Sequence, residues 1–334
     1  NSYKAQHAGQ IAGYEASLVM DKRHNMAIEN IEKLAKATYN NPQIYSQNLD
    51  KGIEQYLAVN KTLGWKFAGQ FLPAEASKLN KMTVVLPVNL DLAQDELTKL
   101  FAYKRQGVEF LEYHKFIEIT QRMVPLERIS EVWFLRSVSY APRRISDAAK
   151  RALDITFGLL GSIILAVLLP VVALFIKLDS AGPVFFVQLR VGQHGRPFRV
   201  FKFRTMTTGL VTNTWTESDD KRITRIGKWL RKLRLDELPQ FWNILIGNMS
   251  LVGPRPEQVG IVEQLKSQIP YYDERHIVKP GLTGWSQLHV YANSLEGTKL
   301  KLQYDFYYIK HHSLWFDLEI ILRTIFHILS LQGQ

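Results

Sequence analysis

The sequence predicts a mixed α/β chain, with a partial Rossmann-like domain followed by a mainly helical, membrane-associated domain that holds a re-entrant helix-break-helix and a small β-hairpin. Three observations carry this expectation. Two short apolar runs, residues 83–88 and 108–113, flank a helix-like stretch at 91–104, the order of a βαβ unit. Residues 155–176 contain no charged side chain and include Pro170. Residues 183–192 and 197–204 are β-like and are separated by the turn signal Gln193-His-Gly-Arg196, as in a hairpin.

A chain of 334 residues that is 46% hydrophobic has room for roughly two domains with real cores. A formal net charge of +11 favours anionic partners: nucleic acid, anionic lipid headgroups or phosphorylated small molecules. The absence of cysteine excludes a disulfide framework, a thiolate metal site and a Cys nucleophile. The first thirty residues hold no apolar core of a signal peptide, and a start at Asn1 without Met is expected of a fragment.

Three zones follow from composition. Residues 1–80 are polar and helix-like in places, as at 26–37. Residues 81–142 hold the Rossmann-like unit. No Gly-rich phosphate loop follows either of its strands, so a regulatory or dimerising role, with a homodimer as the partner, is expected there rather than cofactor binding. Pro125, Pro142 and Arg143-Arg144 mark a linker, after which residues 146–334 form the membrane-associated domain.

At about 1.5 Å per residue, the uncharged segment 155–176 is long enough to span a hydrocarbon core of roughly 30 Å; the alternative is a buried core helix. Pro170 lacks a backbone donor and crowds the preceding turn, which predicts a kink or break in the membrane. Thr156 or Ser162 could satisfy the carbonyls so freed. Arg143, Arg144, Lys150 and Arg151 precede the segment, and Lys177 and Arg190 follow it, so both ends are expected on the cytoplasmic side. The C-terminal stretch 315–329 has helical apolar periodicity, suited either to the membrane interface or to packing on the domain core.

The chemistry is expected in this last zone. If 197–204 is extended, Lys202 and Arg204 share a face that could grip phosphate; a plain cationic strand edge is the alternative. Residues 221–234 carry seven basic side chains and no acidic one, with Ile223, Ile226, Leu230 and Leu233 at helical spacing. Such a helix alone reads as a membrane-surface or nucleic-acid face. Its continuation, Leu235-Asp-Glu-Leu-Pro-Gln240, sets two carboxylates directly behind the cations. Neighbouring positive charge is expected to lower their pKa, and an ionised Asp can act as nucleophile or hold Mg²⁺ through hard oxygen. The pair Asp95-Glu96 has no such basic context. Arg255, between Pro254 and Pro256, sits on a stiff loop suited to bidentate phosphate recognition. His276 reads as structural. No zinc-ligand pattern, helix-turn-helix signature or RNA-binding motif is present, so nucleic acid is not an expected partner.

The order of motifs over 146–331 is Lys150-Arg151 with Asp154, the Pro-containing apolar segment, Gly182-Pro-Val-Phe-Phe186, Lys202-Phe-Arg-Thr-Met206, Asp236-Glu-Leu-Pro-Gln240, Ser250-Leu-Val-Gly-Pro-Arg-Pro256, Lys279-Pro-Gly-Leu-Thr-Gly-Trp285 and Tyr304-Asp-Phe-Tyr-Tyr308. In these the chain resembles the bacterial sugar transferases, monotopic polyprenyl-phosphate phosphoglycosyl transferases that begin exopolysaccharide and O-antigen repeat units. The resemblance implies transfer of a sugar-1-phosphate from a nucleotide diphosphate sugar, such as a UDP-sugar, to polyprenyl (undecaprenyl) phosphate. It implies Asp236 as nucleophile and ligand of Mg²⁺ (or Mn²⁺), Glu237 as its helper, and phosphate or nucleotide contacts from Lys202, Arg231 and Arg255. It also implies membrane lipids as partners, and a catalytic domain on the cytoplasmic face of the inner membrane. A catalytically inactive membrane scaffold of a polysaccharide assembly system is the competing expectation. Larger members carry a degenerate nucleotide-binding-like domain before the catalytic part, resembled here by the second zone, and usually four membrane helices that this chain does not show. Gln287-Leu-His-Val-Tyr-Ala-Asn293 departs from the more polar, Gly-containing pattern common after the Gly-Trp motif.

Overall fold

A computed structural model describes residues 43–46, 66–70, 83–86, 94–105, 109–138, 144–207, 220, 222–290 and 294–329, which fall into two compact units, Asn1–Pro125 and Leu126–Gln334. The helix expected at 26–37 lies outside the described residues.

The first unit contains a four-stranded parallel sheet of order β2-β1-β3-β4: β1 (Gln43–Ser46), β2 (Lys66–Gln70), β3 (Thr83–Leu86) and β4 (Glu109–Glu112). Helix α1 (Gln94–Arg105) joins β3 to β4, and α2 (Tyr113–Gln121) follows. The βαβ unit expected from the two apolar runs is therefore present, with Thr83 opposite Glu109 and Leu86 opposite Glu112. Strands β1 and β2 come from the polar zone, where four- and five-residue strands leave too little periodicity to read.

The second unit begins with α3 (Glu131–Ser137), capped by Ser130, whose hydroxyl accepts from Trp133 N. Helix α4 (Arg144–Asp179) is long and apolar enough to cross a bilayer. Its helical backbone runs through Pro170 without interruption, so the expected break does not divide the helix. The expected hydroxyl partners do not serve the proline either. A proline frees the carbonyl four residues earlier, here Ala166. Thr156 Oγ1 instead donates to Ala152 O at 2.9 Å, and Ser162 Oγ is buried without a partner.

The hairpin is as expected: β5 (Phe185–Val191) pairs antiparallel with β6 (Pro197–Phe203), Phe185 opposite Phe203. A single turn at Gln193–Gly195 reverses the chain, with His194 and Gly195 at positive φ. Helices α5 (Arg225–Lys232) and α6 (Gln240–Ile246) follow, then β7 (Ser250–Val252), α7 (Val259–Gln268) and β8 (Gly281–Thr283), with β7 and β8 parallel. The unit ends with α8 (Trp285–His289), α9 (Leu295–His311) and α10 (Leu314–Leu329).

Both ends of α4 are tied into this one unit. Near its start, Lys150 Nζ reaches Asp317 Oδ2 (2.7 Å), Val252 O (3.0 Å) and Tyr308 Oη (3.2 Å). Arg151 donates to the carbonyls of Ile244 and Leu245 at the end of α6, and Asp154 accepts from Leu251 N at 2.8 Å and Ser250 Oγ at 3.0 Å. A Cβ on Gly161 would collide with the Phe241 ring, so this glycine lets α4 and α6 close. At the far end, Asp179 Oδ2 accepts from Ile226 N at 2.9 Å. Between these anchors, Val172 and Ile176 pack against Phe203 and Leu230, while Ile163, Ile164, Val167, Val171 and Leu174 remain exposed. The C-terminal helix α10 packs on the domain core, as one of the two expectations had it, through buried Phe316 and Ile320, while Trp315, Leu322 and Phe326 are exposed.

Asp154 is the shared acceptor of two buried donors, so Asp154→Ala is expected to cost on the order of 2 kcal/mol by leaving both unpaired. Thermal melts in nanodiscs check this, and an unchanged midpoint would rule it out.

Candidate active site

The basic segment forms a shorter helix than its composition predicts. Thr224 caps α5 through a bond from Gly227 N at 3.0 Å, so the helix starts at Arg225, and Arg234 ends the run with a left-handed backbone at φ 56°. That reversal opens a single 3₁₀ turn, Leu235–Glu237, which presents the acidic pair. A side chain on Gly227 would strike the Thr205 carbonyl, so only glycine lets α5 lie this close to the chain leaving β6. The approach brings Arg231 Nε within 2.9 Å of Thr205 Oγ1.

Around this turn the expected residues divide. Glu237 Oε1 meets Lys202 Nζ of β6 at 2.7 Å and Arg255 Nη2 at 3.7 Å. Asp236 is buried beside it. Lys202, Glu237 and Arg255 thus form one charged cluster, with Arg231 and Arg234 acting electrostatically on Asp236. Arg204 does not join them. Its Nη1 donates to Ala181 O (3.0 Å) and its Nη2 to Ser180 O (2.6 Å) and Ile176 O (3.3 Å). The phosphate contact expected of Arg204 is thereby corrected: the guanidinium satisfies carbonyls at the end of α4, which a helix C-terminus leaves without partners. Backbone alternation places Lys202 and Arg204 on one side, but Arg204 lies beyond the last residue of β6.

The two carboxylates are electrostatically unlike. Burial raises the pKa of Glu237, but the charges of Lys202 and Arg255 outweigh it and hold this carboxyl well below the usual range. Asp236 is pushed up to about 6 by burial and then by the Glu237 charge, against the pull of Lys202, Arg231 and Arg234. The cations pull on both carboxyls as expected, but only at Glu237 do they prevail; at Asp236 burial and the Glu237 charge outweigh them. Among the described residues Glu237 has a cation in salt-bridge contact and Asp236 has none.

A cleft of about 510 Å³ opens next to this turn. Its lining combines charged side chains, Arg234, Glu237, Arg255, Glu257 and Lys301, with apolar ones, Phe157 of α4, Phe241 of α6, and Ile321, Ile325 and Ile328 of α10. Asp236, Lys202 and Arg231 lie outside the lining. The residues that sequence reasoning missed here are Arg234, Glu257, Gln287 and Lys301. Glu257 lies 3.5 Å from Arg190, and Arg275 pairs with Asp305 at 2.7 Å, both residues of this second pair also lining the cleft. His276 is buried and lies 3.3 Å from Asp273, outside the cleft lining.

Among the described residues no group of three or more His, Cys, Asp or Glu side chains could hold a metal ion. Mg²⁺ commonly takes only one or two carboxylates, keeps several waters and uses substrate phosphates as its other ligands, a demand that the Asp236-Glu237 pair fits by its chemistry.

A family model described as bacterial sugar transferase matches residues 145–331, and the chain belongs to that family. It is 46% identical over 195 residues to UDP-N-acetylgalactosamine-undecaprenyl-phosphate N-acetylgalactosaminephosphotransferase of Aeromonas hydrophila, covering 58% of this chain and 46% of the relative. It is 42% identical over 187 residues to UDP-glucose:undecaprenyl-phosphate glucose-1-phosphate transferase of Escherichia coli K12, covering 54% of this chain and 40% of the relative. A Caulobacter vibrioides protein of that same activity is 39% identical, covering 62% of this chain and 79% of its own length. The chain thus spans less than half the length of the first two relatives.

An unfolded aspartate titrates near 3.9, below the folded value of Asp236, so the folded state holds this proton more tightly. The resulting destabilisation is absent at low pH, grows as pH rises from about 4 to 6, and is complete above 6. Asp236→Asn is therefore expected to stabilise the metal-free protein by on the order of 2 kcal/mol at pH 7.5 and hardly at all at pH 4. Equilibrium denaturation in detergent with a chelator present measures this; a less stable variant at pH 7.5 would contradict it.

Proposed function

We propose that the chain transfers a sugar-1-phosphate from a nucleotide diphosphate sugar to polyprenyl phosphate through a covalent intermediate on Asp236, the step that initiates a bacterial polysaccharide repeat unit. The observation that carries this reading is the setting of the acidic pair: Glu237 is neutralised by Lys202 and Arg255, and beside it sits a buried Asp236 of raised pKa, next to a cleft lined by both charged and apolar side chains. The activities named for the relatives support the same substrates.

In the first half-reaction, a carboxylate oxygen of Asp236 attacks the sugar-linked phosphorus. The bond from that phosphorus to the bridging oxygen breaks, and nucleoside monophosphate leaves with the electron pair. In the second, a phosphate oxygen of the lipid attacks the same phosphorus and releases the Asp236 carboxylate, giving a lipid-linked diphosphate sugar. A pKa near 6 suits a nucleophile of this kind, because the group is largely ionised at neutral pH yet more basic than an ordinary aspartate. Lys202 and Arg255 fix the Glu237 charge, and Arg231 and Arg234 supply positive potential where phosphate charge develops. Mg²⁺ or Mn²⁺, held by Asp236, would neutralise the diphosphate.

In this reading α4 enters and leaves the membrane from one side. Anchors near both of its ends, Lys150, Arg151 and Asp154 before and Asp179 after, bind the same unit, which supports a monotopic, re-entrant placement with the catalytic unit on the cytoplasmic face of the inner membrane. Pro170 then bends the helix within the lipid. The parallel sheet of the first unit is read as a degenerate Rossmann-like module with a regulatory or dimerising role.

With a labelled UDP-sugar and Mg²⁺ but no lipid acceptor, the full chain in nanodiscs should retain phospho-sugar, and Asp236→Asn should retain none. Equal label on the variant rejects the mechanism. Labelling should weaken at acid pH, where the Asp236 carboxylate becomes protonated, and a bound Mg²⁺ would move that loss to lower pH. Arg255→Ala is expected to lower donor turnover about 100-fold while the protein stays on membranes; release from the membrane would make its loop an anchor instead. Accessibility reporters placed after Lys150 and after Ser180 should report the same side, and opposite sides would sink the re-entrant placement.

A further inference from the structure

We propose that Gln287 is a donor-binding residue: its carboxamide oxygen orients Arg255 while its NH₂ group donates to an acceptor oxygen of the bound nucleotide sugar. The inference rests on the donor chemistry proposed above.

Gln287 belongs to α8, an element held from below. Ser286 Oγ donates to Asp305 Oδ1 at 2.7 Å, and Asp305 Oδ2 accepts from Arg275 Nε at 3.0 Å and Nη2 at 2.7 Å. All three of these residues are buried, so the turn carrying Gln287 stands on a fixed base. From it, Gln287 Oε1 accepts from Arg255 Nη1 at 3.3 Å, and Arg255 Nη2 faces Glu237 Oε1. A guanidinium carries only donors, so the carboxamide atom that faces it must be the oxygen. That fixes the amide nitrogen on the other side, where Nε2 is buried with no partner. An unpaired buried donor is unfavourable, and native structures keep few of them. Gln287 lines the cleft together with Arg255, Glu257 and Lys301, while its Nε2 is turned toward the backbone at Gly284, where a Cβ would stand 3.4 Å from it, so the side chain must rotate for this nitrogen to meet a ligand oxygen in the cleft. The acceptor is a phosphate, carbonyl or hydroxyl oxygen, all of which a nucleoside diphosphate sugar carries. Gln240 Nε2 is unpaired in the same way, but the crevice beside it measures only about 10 Å³, room for about one water and no ligand.

Gln287→Glu and Gln287→Met separate the two halves of the proposal. Glu keeps an oxygen for Arg255 and loses the donor; Met keeps the length and loses both. In the full chain in nanodiscs, Gln287→Glu is expected to raise the donor KM about tenfold, with kcat within about threefold and the melting temperature unchanged, and to weaken UDP binding by calorimetry to a similar degree. Gln287→Met should raise KM at least as far and lower kcat as well. Wild-type KM and UDP affinity in Gln287→Glu would overturn the inference, because a purely structural partner of Arg255 is rescued by glutamate. If the wild type turns over no donor yet Gln287→Glu still binds UDP more weakly, the transfer reading falls and the donor-site role of Gln287 stands. A wild type that binds no UDP defeats both.

Discussion

An apolar helix of 36 residues can serve a charged cleft only if the polar unit holds it at both ends, and the rest of the second unit is arranged around that requirement. Lys150, Arg151 and Asp154 secure its first turns to strand β7 and to helices α6, α9 and α10. Asp179 accepts from the first turn of α5, and Arg204 satisfies the carbonyls where α4 ends. These are buried or half-buried charged contacts whose partners are mostly backbone groups, so removing one leaves a polar group stranded. The same contacts set α5 and α6 against α4, and the turn with the acidic pair lies between those two helices in the chain. The placement of the apolar helix and that of the carboxylates are therefore fixed by one set of bonds.

The acidic pair works by division. Two adjacent buried carboxylates cannot both stay easily ionised, and the unequal supply of cations decides which does. Lys202 and Arg255 contact Glu237, so that charge is permanent and it raises its neighbour. The left-handed residue Arg234 produces this arrangement, because it turns the chain abruptly from the α5 axis and points successive side chains into different surroundings.

Much of this is legible in the residues, and what is not has physical reasons. The hairpin announces itself through alternation and a turn signal, the long apolar helix through 22 successive uncharged residues at 155–176, and the acidic pair through the cations before it. The true partners of Arg204 escape the sequence because strand alternation gives a side and says nothing of partners; its carbonyls come from an element about 25 residues earlier in the chain. Pro170 predicts a broken helix, yet a proline removes one bond and a helix packed on both α5 and α6 can tolerate that loss. The raised pKa of Asp236 depends on burial, which a string of basic letters does not display. Gln287 sits in a segment whose departure from the family pattern is visible, although only the placement of Arg255 gives it meaning.

The apolar part of the cleft lining, which includes Phe157, Phe241 and Ile325, changes what concentration means for the proposed reaction. On that reading the lipid acceptor arrives by lateral diffusion within a two-dimensional sheet, whereas the nucleotide sugar arrives from bulk solution. The rate of the proposed second half-reaction then scales with the mole fraction of acceptor in the membrane, and diluting the whole suspension leaves it unchanged. A cell could throttle such an initiating step by competing for a scarce carrier lipid, without altering the pool of soluble donor.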